Sequence, residues 1–294
     1  MIIPRNVVAA PGNYQVPNIP DCANGLTKDI KQLRVGTYTN PSDLPEGAIL
    51  IVGGGQTGMQ IGEVLLKAGR KVFIATSKVK GSPRTYRGED IFFWMERTGM
   101  LQMPPQALPD PNMKYDRIPI VGNDHPISHH SLSRLGAHFL GGLYGISEDG
   151  GTALFKDDLQ DNIHFAQGGY DFICQMIEGW IKENGNGNVF PQHTPEPEWT
   201  PHQALLDLKA PDKLNLKEHG ISTVLWATGW GADFSWLKID KIRKELGPHG
   251  RPESCETTVP GFYWLGFHWL RSLNSGNGYG FHSDAPYIAT KLRA

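Results

Sequence analysis

Six consecutive residues form a glycine-rich turn whose spacing could bind a phosphate group. Gly53, Gly55 and Gly58 occupy the glycine positions of a GxGxxG pattern, and Gln56 and Thr57 lie between the last two. In such a turn the first glycine permits a tight bend, the second lets the backbone approach a pyrophosphate, and the third lets the next helix pack closely. Amides at the helix start then face the anion. The pattern predicts a dinucleotide site; the alternative is a glycine-rich turn that binds no ligand.

The segments on either side of this turn are those that a dinucleotide site requires. Residues 48–52 are continuously apolar, which is typical of a strand buried on both faces. Residues 58–68 carry apolar side chains at helical spacing, and residues 71–75, which are apolar after Lys71, are predicted as a second strand. The order strand, glycine turn, helix, strand predicts an α/β fold with a Rossmann-like, doubly wound parallel sheet.

The residues after the second strand indicate which nucleotide would bind. NAD-binding proteins usually carry Asp or Glu about 20 residues beyond the glycine pattern, where the carboxylate bonds the ribose 2′-hydroxyl. Here Thr76, Ser77 and Lys78 stand without an acid, and Arg84 follows. Hydroxyl groups and cations suit a 2′-phosphate, because one charge-assisted hydrogen bond contributes about 1.5–3 kcal/mol. We therefore expect NADP(H) rather than NAD(H); the alternative is a solvated basic loop.

The remaining elements are predicted less sharply. Residues 5–10 and the run from Ser222 to Gly229 are predicted as buried strands, and residues 171–184 as a core-facing helix. Between residues 105 and 170 Pro, Asn, His and Gly are scattered, and a helix is predicted over residues 131–145.

Five segments match one known family in order. They are ILIVGGGQTGMQIGEVLLKAGRKVFIATSK, SPRTYRGEDIFFWM, STVLWATGW, PGFYWLGFHWL and SDAPYIA. Together they resemble class B-like flavin-dependent monooxygenases, and among these a bacterial group described as flavoproteins involved in potassium transport. The likeness runs through nearly the whole chain.

The resemblance implies two dinucleotide-binding domains, of which the second is inserted into the first. The first domain of the family holds FAD on its own GxGxxG turn, and the second holds NADPH. NADPH reduces the flavin, which then transfers one atom of oxygen to a substrate. The resemblance therefore implies an oxidoreductase with NADP(H) and FAD as cofactors.

The resemblance also carries over specific positions. Gly53, Gly55 and Gly58, with Gln56 and Thr57, fall on the NADPH turn. Ser77, Lys78 and Arg84 fall where the family binds the 2′-phosphate. Thr228 and Gly229 fall on the ATG segment that returns to the FAD domain, and Asp284 falls on the acidic position near the ribityl and phosphate groups of the flavin. Asn274, Ser275 and Asn277 form either a flavin-contacting loop or a surface turn.

The chain departs from the family in its first segment. Only 52 residues precede Gly53, and no second GxGxxG follows a strand. We therefore expect a truncated N-terminus and an incomplete FAD-binding domain. The expected arrangement is a remnant at 1–45, an NADP(H)-binding domain at 46–218 with an irregular insert near 105–170, and a return segment at 219–294. The glycine turn that would bind the ADP half of FAD is then missing, and we do not expect this chain alone to bind FAD.

Two function hypotheses follow. The first is an NADPH-dependent flavoprotein of the monooxygenase type that acts on a small organic substrate. The second is a non-catalytic NADP(H)-binding module, or a subunit that needs a separate FAD-binding polypeptide. Presenting NADPH to a flavin requires positioning rather than one acid or base, so no catalytic residue is assigned.

Composition argues against several other classes of protein. The 28 basic and 30 acidic residues give a formal charge of −2, without the basic excess of a nucleic-acid binder. Three distant cysteines without CxxC argue against a disulfide scaffold or zinc site. His125, His129, His130 and His138 are interpreted as loop histidines rather than metal ligands. No apolar run reaches the length of a membrane span, so we expect a cytoplasmic protein, and a homo-oligomer stays open.

Overall fold

The computed structural model describes residues 4–185, 187 and 189–293. Its strands are β1 (Val7–Ala9), β2 (Val16–Pro17), β3 (Lys31–Arg34), β4 (Ala48–Val52), β5 (Val72–Ala75), β6 (Thr85–Tyr86), β7 (Glu89–Asp90), β8 (His138–Leu140), β9 (Leu143–Ile146), β10 (Thr152–Phe155), β11 (Lys213–Asn215), β12 (Ile221–Trp226), β13 (Trp230–Gly231) and β14 (Phe262–Trp264). Its α-helices are α1 (Gln56–Lys67), α2 (Ile91–Arg97), α3 (His129–Arg134), α4 (Leu159–Glu183), α5 (Gln203–Leu206), α6 (Asp240–Arg243) and α7 (Phe281–Arg293). In these described residues, no helix is long and apolar enough to cross a membrane.

The chain divides into two compact units. Of the described residues, those within 19–94 and 117–229 form the larger unit. Those within 4–18, 95–116 and 230–293 form the smaller unit.

A five-stranded sheet is the centre of the larger unit. Its strands lie in the order β3-β12-β4-β5-β8, and every neighbouring pair is parallel. Helix α1 connects β4 to the parallel strand β5, as a parallel pair requires a crossover connection. The structure confirms the order strand, glycine turn, helix, strand, and α1 begins at Gln56, two residues before the predicted start.

Both faces of this sheet are buried, but by different kinds of element. Leu50 and Val52 of β4 point into a core that also holds Ala153, Phe155 and Leu214 of the antiparallel sheet β9-β10-β11. Alternate residues of β4 point into the opposite core, which includes Met59 and Leu65 of α1. The mixed α/β fold with a parallel sheet is confirmed. The small antiparallel sheet on one face differs from the helices that a doubly wound sheet carries on both faces.

The segment with weak sequence signals contains regular structure. The helix predicted over residues 131–145 is confirmed for residues 131–134 and wrong beyond them, because α3 ends at Arg134 and strands β8 and β9 follow. Gly136, with φ of +97°, lies directly between α3 and β8 and allows the chain to reverse there. Helix α4 covers residues 171–183 of the helix predicted over 171–184 but begins already at Leu159.

The smaller unit is assembled from segments that are distant in the sequence. Strand β1 pairs in parallel with β14, with Val8 opposite Tyr263, and this confirms a strand within residues 5–10. The predicted burial is wrong for Val7 and Val8, which are exposed. Strand β2 pairs with β13 in antiparallel fashion. The core of this unit includes Ala9, Trp264 and Phe267 together with Ile288 of α7.

Candidate functional site

The glycine turn, residues 53–58, joins strand β4 to helix α1. Gly53 has φ of +120°, and a Cβ on it would lie 2.3 Å from the carbonyl oxygen of Ala227. A Cβ on Gly58 would lie 1.9 Å from the carbonyl oxygen of Gly53. Neither approach is sterically possible without displacement of the backbone. The fold of the larger unit therefore requires glycine at both positions, with or without a ligand.

Gly55 has a different environment from its two neighbours in the pattern. Its φ of −83° and ψ of −177° are extended backbone that any residue adopts. A Cβ on Gly55 would meet no atom within 4 Å. Gly55 is the N-cap of α1, whose first amides have no partner within the helix. Protein packing gives no reason for glycine here, whereas close approach of a phosphate to the backbone does.

Three groups that could bind an anion lie at the end of strand β5. Ser77 and Lys78 follow the strand in the sequence, and Arg117 reaches Ser77 from a distant segment. The hydroxyl of half-buried Ser77 accepts a hydrogen bond from the guanidinium of Arg117, and Lys78 is the next residue and exposed. Arg117 is also exposed. No Asp or Glu lies between Thr76 and Arg84. The arrangement can bind an anion, and Arg117 adds a cation that the sequence analysis did not identify.

Arg84 is held by the protein itself. Its Nε donates to the carbonyl oxygen of Asn123 at 2.6 Å, and its Nη2 lies 2.6 Å from Oδ2 of Asp90. Its Nη1 is buried and has no hydrogen-bond partner among the described residues. Two nitrogens of Arg84 are therefore used by contacts within the protein, and Nη1 is the one that could bind a ligand.

Side chains on one face of α1 hold the loop at residues 121–125. Oε1 of Gln56 accepts from the amide of Val121 at 2.8 Å, and its Nε2 donates to the carbonyl oxygen of Gly122 at 2.7 Å. Glu63 lies 2.8 Å from Nε2 of His125, and this hydrogen bond raises the pKa of His125. The side chain of Gln56 is therefore engaged in the loop, and its backbone amide is the group left for an anion. Thr57, the next residue, is exposed.

The segment after strand β12 lies beside the glycine turn. Trp226 is paired with Val52, so the chain beyond β12 leaves the sheet at the same edge as the turn. Thr228 is half-buried, and Gly229 is exposed with φ of +88°. The larger unit thus brings the glycine turn, the end of β5 and residues 227–229 to the carboxyl edge of its parallel sheet, where ligands of such sheets bind.

Asp284 belongs to the smaller unit and is described by itself. It lies in the first turn of α7 and is fully buried. Its Oδ1 accepts from the Ser283 hydroxyl at 3.2 Å and lies 3.4 Å from Nη1 of Arg271. Its Oδ2 has no partner among the described residues, and the same is true of Oδ1 of Asn274. Asn274 and Ser275 are buried, so the surface-turn interpretation is wrong for both.

The histidines have structural positions. His129 and His130 lie buried in α3, and His138 lies in β8, so the interpretation of these three as loop residues is wrong. Burial lowers the pKa of both His129 and His130 to about 4. Over the residues that the structure describes, no group of three or more His, Cys, Asp or Glu could hold a metal ion.

Comparison with known proteins identifies relatives of this chain. No protein-family model matches it. A CzcO-like oxidoreductase of Geobacillus kaustophilus is 27% identical over 293 residues, which are 99% of this chain and 65% of that protein. The oxidoreductase CzcO of Bacillus subtilis is 30% identical over 290 residues, which are 98% of this chain and again 65% of the relative. The chain therefore spans just under two thirds of the length of these relatives.

One solved structure is similar to this chain at the level of the fold. The flavin-containing monooxygenase from Stenotrophomonas maltophilia superposes with a TM-score of 0.52 at 14% identity, covering 97% of this chain and 63% of that one. The fold is thus the mixed α/β fold with a parallel sheet that this flavoprotein also has. The resemblance to flavin-dependent monooxygenase-like proteins that the motifs indicated is confirmed, and the chain is a relative of proteins named as oxidoreductases.

Proposed function

We propose that this chain binds NADP(H) and belongs to an NADPH-dependent flavoprotein oxidoreductase of the monooxygenase type. The observation that carries the proposal is the environment of Gly55, a glycine at the helix start where a Cβ would meet no protein atom. A dinucleotide whose pyrophosphate rests on this backbone explains the glycine. The names of the curated relatives, which are oxidoreductases, support the same reaction class.

The nucleotide would be held by the larger unit. Backbone amides of the glycine turn and the first turn of α1 would bind the pyrophosphate, because the helix start carries unpaired N–H groups and a partial positive charge. Ser77, Lys78 and Arg117 would bind the 2′-phosphate, and Arg84 would contribute its remaining nitrogen. Thr228 and Gly229 would lie beside the glycine turn, on the side of strand β12, and limit the space for the nucleotide there.

Residues of the smaller unit fit a flavin in one respect. Asp284 and Asn274 each leave one buried oxygen without a partner, and hydroxyl groups of a ribityl chain are donors that would satisfy such acceptors. FAD, when bound, supplies the redox chemistry by accepting a hydride from NADPH and reacting with oxygen. The chain would contribute binding, orientation and exclusion of water. The substrate would be a small organic molecule.

The proposed domain arrangement keeps the order expected from the sequence. The NADP(H)-binding domain is centred on residues 46–218 and includes strands β3 and β12, which lie in its sheet, and the remaining residues of 1–45 and 219–294 belong to a FAD-binding domain. A single GxGxxG turn is present in the chain. The second candidate is an NADP(H)-binding module or a subunit that uses FAD held by a separate polypeptide.

Nucleotide choice is tested by titrating the chain with NADPH and with NADH. We expect NADPH to bind more tightly. Lys78→Ala and Arg117→Ala should each weaken NADPH binding by roughly tenfold to a hundredfold and leave NADH binding nearly unchanged, because each removes one charge-assisted contact. Lys182→Ala, at the exposed end of α4, removes the same charge elsewhere and serves as control. Tighter binding of NADH to the parent chain would contradict the proposal.

Visible absorbance separates the two candidates. A chain that keeps flavin bands after unbound FAD has been removed, and that consumes NADPH in air, is the proposed oxidoreductase. A chain that binds NADPH but acquires no flavin bands is the binding module or subunit. Binding of neither cofactor would overturn both candidates.

A further inference from the structure

A second cleft lies in the larger unit, away from the glycine turn. It has a volume of about 430 Å³ and opens between helix α4 and residues 193–201. Tyr170 and Asp171 line it from α4, and Glu196 and Trp199 line it from the loop. The size is within the range of small-molecule sites. No residue of the glycine turn or of the end of β5 lines this α4 cleft, so nucleotide binding does not account for it.

Three polar atoms of the α4 cleft lack partners. Tyr170 Oη, Glu196 Oε2 and Trp199 Nε1 are buried and have no hydrogen-bond partner within the described part of the chain. Each of these residues is only 6% exposed. Buried polar groups are nearly always hydrogen-bonded, so three exceptions around one cleft indicate that a ligand completes them.

The position of Glu196 is fixed by its other oxygen. Oε1 accepts hydrogen bonds from the amides of Arg84 and Thr85, at 2.9 and 2.7 Å, and from the Thr85 hydroxyl at 3.2 Å. These bonds hold the carboxyl group in one orientation and leave Oε2 as its unused acceptor. Glu196 is therefore built into the wall of the cleft by the backbone that it binds.

The charge of the α4 cleft is negative. Glu196 and Asp171 line it, whereas no Lys or Arg does. The nearby guanidinium of Arg87 is paired with Glu178 at 2.7 Å, and burial lowers the pKa of His193, which keeps that ring neutral near neutral pH. Burial also raises the pKa of Glu196, as expected for a carboxyl group without a counter-charge.

Aromatic rings form another part of the wall. The ring centroids of Tyr170 and Trp199 are 4.7 Å apart, with the rings inclined by 33°. Ring faces beside a carboxylate attract cations through the quadrupole of the ring. Cys174 also lines the cleft, but burial raises the pKa of its thiol to about 12, so it stays protonated and is not a nucleophile.

We propose that the α4 cleft binds a small organic ammonium ion, with the ammonium group donating to Glu196 Oε2 and the carbon skeleton lying against Tyr170 and Trp199. The Tyr170 hydroxyl accepts from the same ammonium group. A hydrogen-bond acceptor elsewhere on the ligand partners Trp199 Nε1.

Calorimetric titration of the full chain with benzylammonium, benzyl alcohol and benzoate tests the proposal. The three probes have nearly the same shape and differ in charge. Benzylammonium should bind at least tenfold more tightly than either of the others, since it alone forms the charge-assisted bond. Equal binding of the three probes, preference for benzoate, or no binding of benzylammonium would overturn the proposal.

Variants locate the binding in the α4 cleft. Glu196→Gln keeps the acceptor oxygen for Arg84 and Thr85 and removes the charge, so benzylammonium affinity should fall by roughly tenfold to a hundredfold. Glu198→Gln makes the same change two residues away, outside the lining, and should leave the affinity within about twofold. An unchanged affinity in Glu196→Gln would contradict the assignment.

A further variant covers the case in which Glu196→Gln does not fold. Tyr170→Phe keeps the ring and removes only the unpartnered hydroxyl, and it should weaken benzylammonium severalfold while NADPH affinity stays unchanged. A Tyr170→Phe chain that binds benzylammonium like the parent would count against the proposal. Because NADPH binding is measured in the same samples, failure of this proposal is distinguishable from failure of the proposed function.

Discussion

The glycine turn and the region around Asp284 are built in different ways. The turn is formed by consecutive residues between β4 and α1, and a five-stranded parallel sheet supports it. Asp284 lies in a unit assembled from three separate chain segments, in which the strands form two-stranded sheets only among the described residues. The first region depends on local sequence, and the second depends on contacts such as that between Asp284 and Arg271.

Within the turn itself, glycines of one motif are required for different reasons. Gly53 and Gly58 are required by backbone contacts with Ala227 and with each other, whereas Gly55 meets no protein atom. In the smaller unit the feature that indicates a ligand is not a glycine. It is Oδ2 of the buried Asp284, which has no hydrogen-bond partner among the described residues. Variants can therefore separate folding from binding in the turn more cleanly than around Asp284.

The largest expected effect is that of Gly58→Ala. A Cβ there would lie 1.9 Å from the carbonyl oxygen of Gly53, so α1 must move away from β4. We expect the free energy of unfolding to fall by about 3 kcal/mol and NADPH binding to be lost with it. Denaturant unfolding followed by circular dichroism measures the first effect.

Gly179→Ala is the matched control for this substitution. Gly179 lies in α4, where a Cβ would meet nothing within 4 Å, so alanine should raise the free energy of unfolding by about 0.5–1 kcal/mol. Equal stability of the Gly58→Ala and Gly179→Ala chains would mean that the turn is not packed as described.

Acid should destabilise the larger unit through its buried histidines. His129 keeps a pKa of about 4 in the folded chain, against the ordinary 6.5. Between these values the unfolded chain binds the proton and the folded chain does not, so stability is complete above about pH 6.5 and falls as the pH approaches 4. The loss is about 3 kcal/mol for His129.

The comparison of parent and His129→Gln chains tests this origin. Unfolding measured at several pH values should show a shallower acid dependence for His129→Gln, because that site no longer titrates. An identical pH dependence in both chains would assign the acid sensitivity to other groups.

Asp284→Asn is expected to act on the smaller unit alone. The substitution removes the charge that faces Arg271 and would weaken the FAD contact proposed for Oδ2. If the parent chain takes up FAD in the absorbance experiment, Asp284→Asn should lower its FAD affinity by about tenfold. NADPH affinity should stay within about twofold, because the proposed nucleotide site lies in the larger unit. Titration with both cofactors measures the difference, and a parallel loss of both affinities would contradict the separation of the two sites.

The sequence predicted the centre of the larger unit well. Continuous apolar runs bounded by glycine predicted strands β4 and β5, and helical spacing predicted α1, because these signals are local. The edge strand β3 was not predicted: three of its four residues, Lys31, Gln32 and Arg34, are polar, and it pairs on one side only. Strand β8 was not predicted, because it follows α3 after only three residues and its apolar run continues the helical pattern.

The sequence predicted the part of the candidate site that carries a motif. It missed the residues that only the fold brings close to one another. The spacing of Gly53, Gly55 and Gly58 identified the turn. Arg117 was missed because its contact with Ser77 joins residues 40 apart in the sequence. Glu196 was missed for the same reason, since it binds the amides of Arg84 and Thr85 across more than 100 residues. Neither residue stands in a motif that could have identified it.

The central claim is that the backbone at Gly55 is open because a dinucleotide phosphate lies against it. The direct measurement is NADPH titration of Gly55→Ala beside the parent chain, with unfolding measured on the same samples. We predict a free energy of unfolding within about 1 kcal/mol of the parent, because the added Cβ meets no protein atom, and an NADPH affinity at least tenfold lower. Parental affinity for NADPH in a folded Gly55→Ala chain would contradict the account.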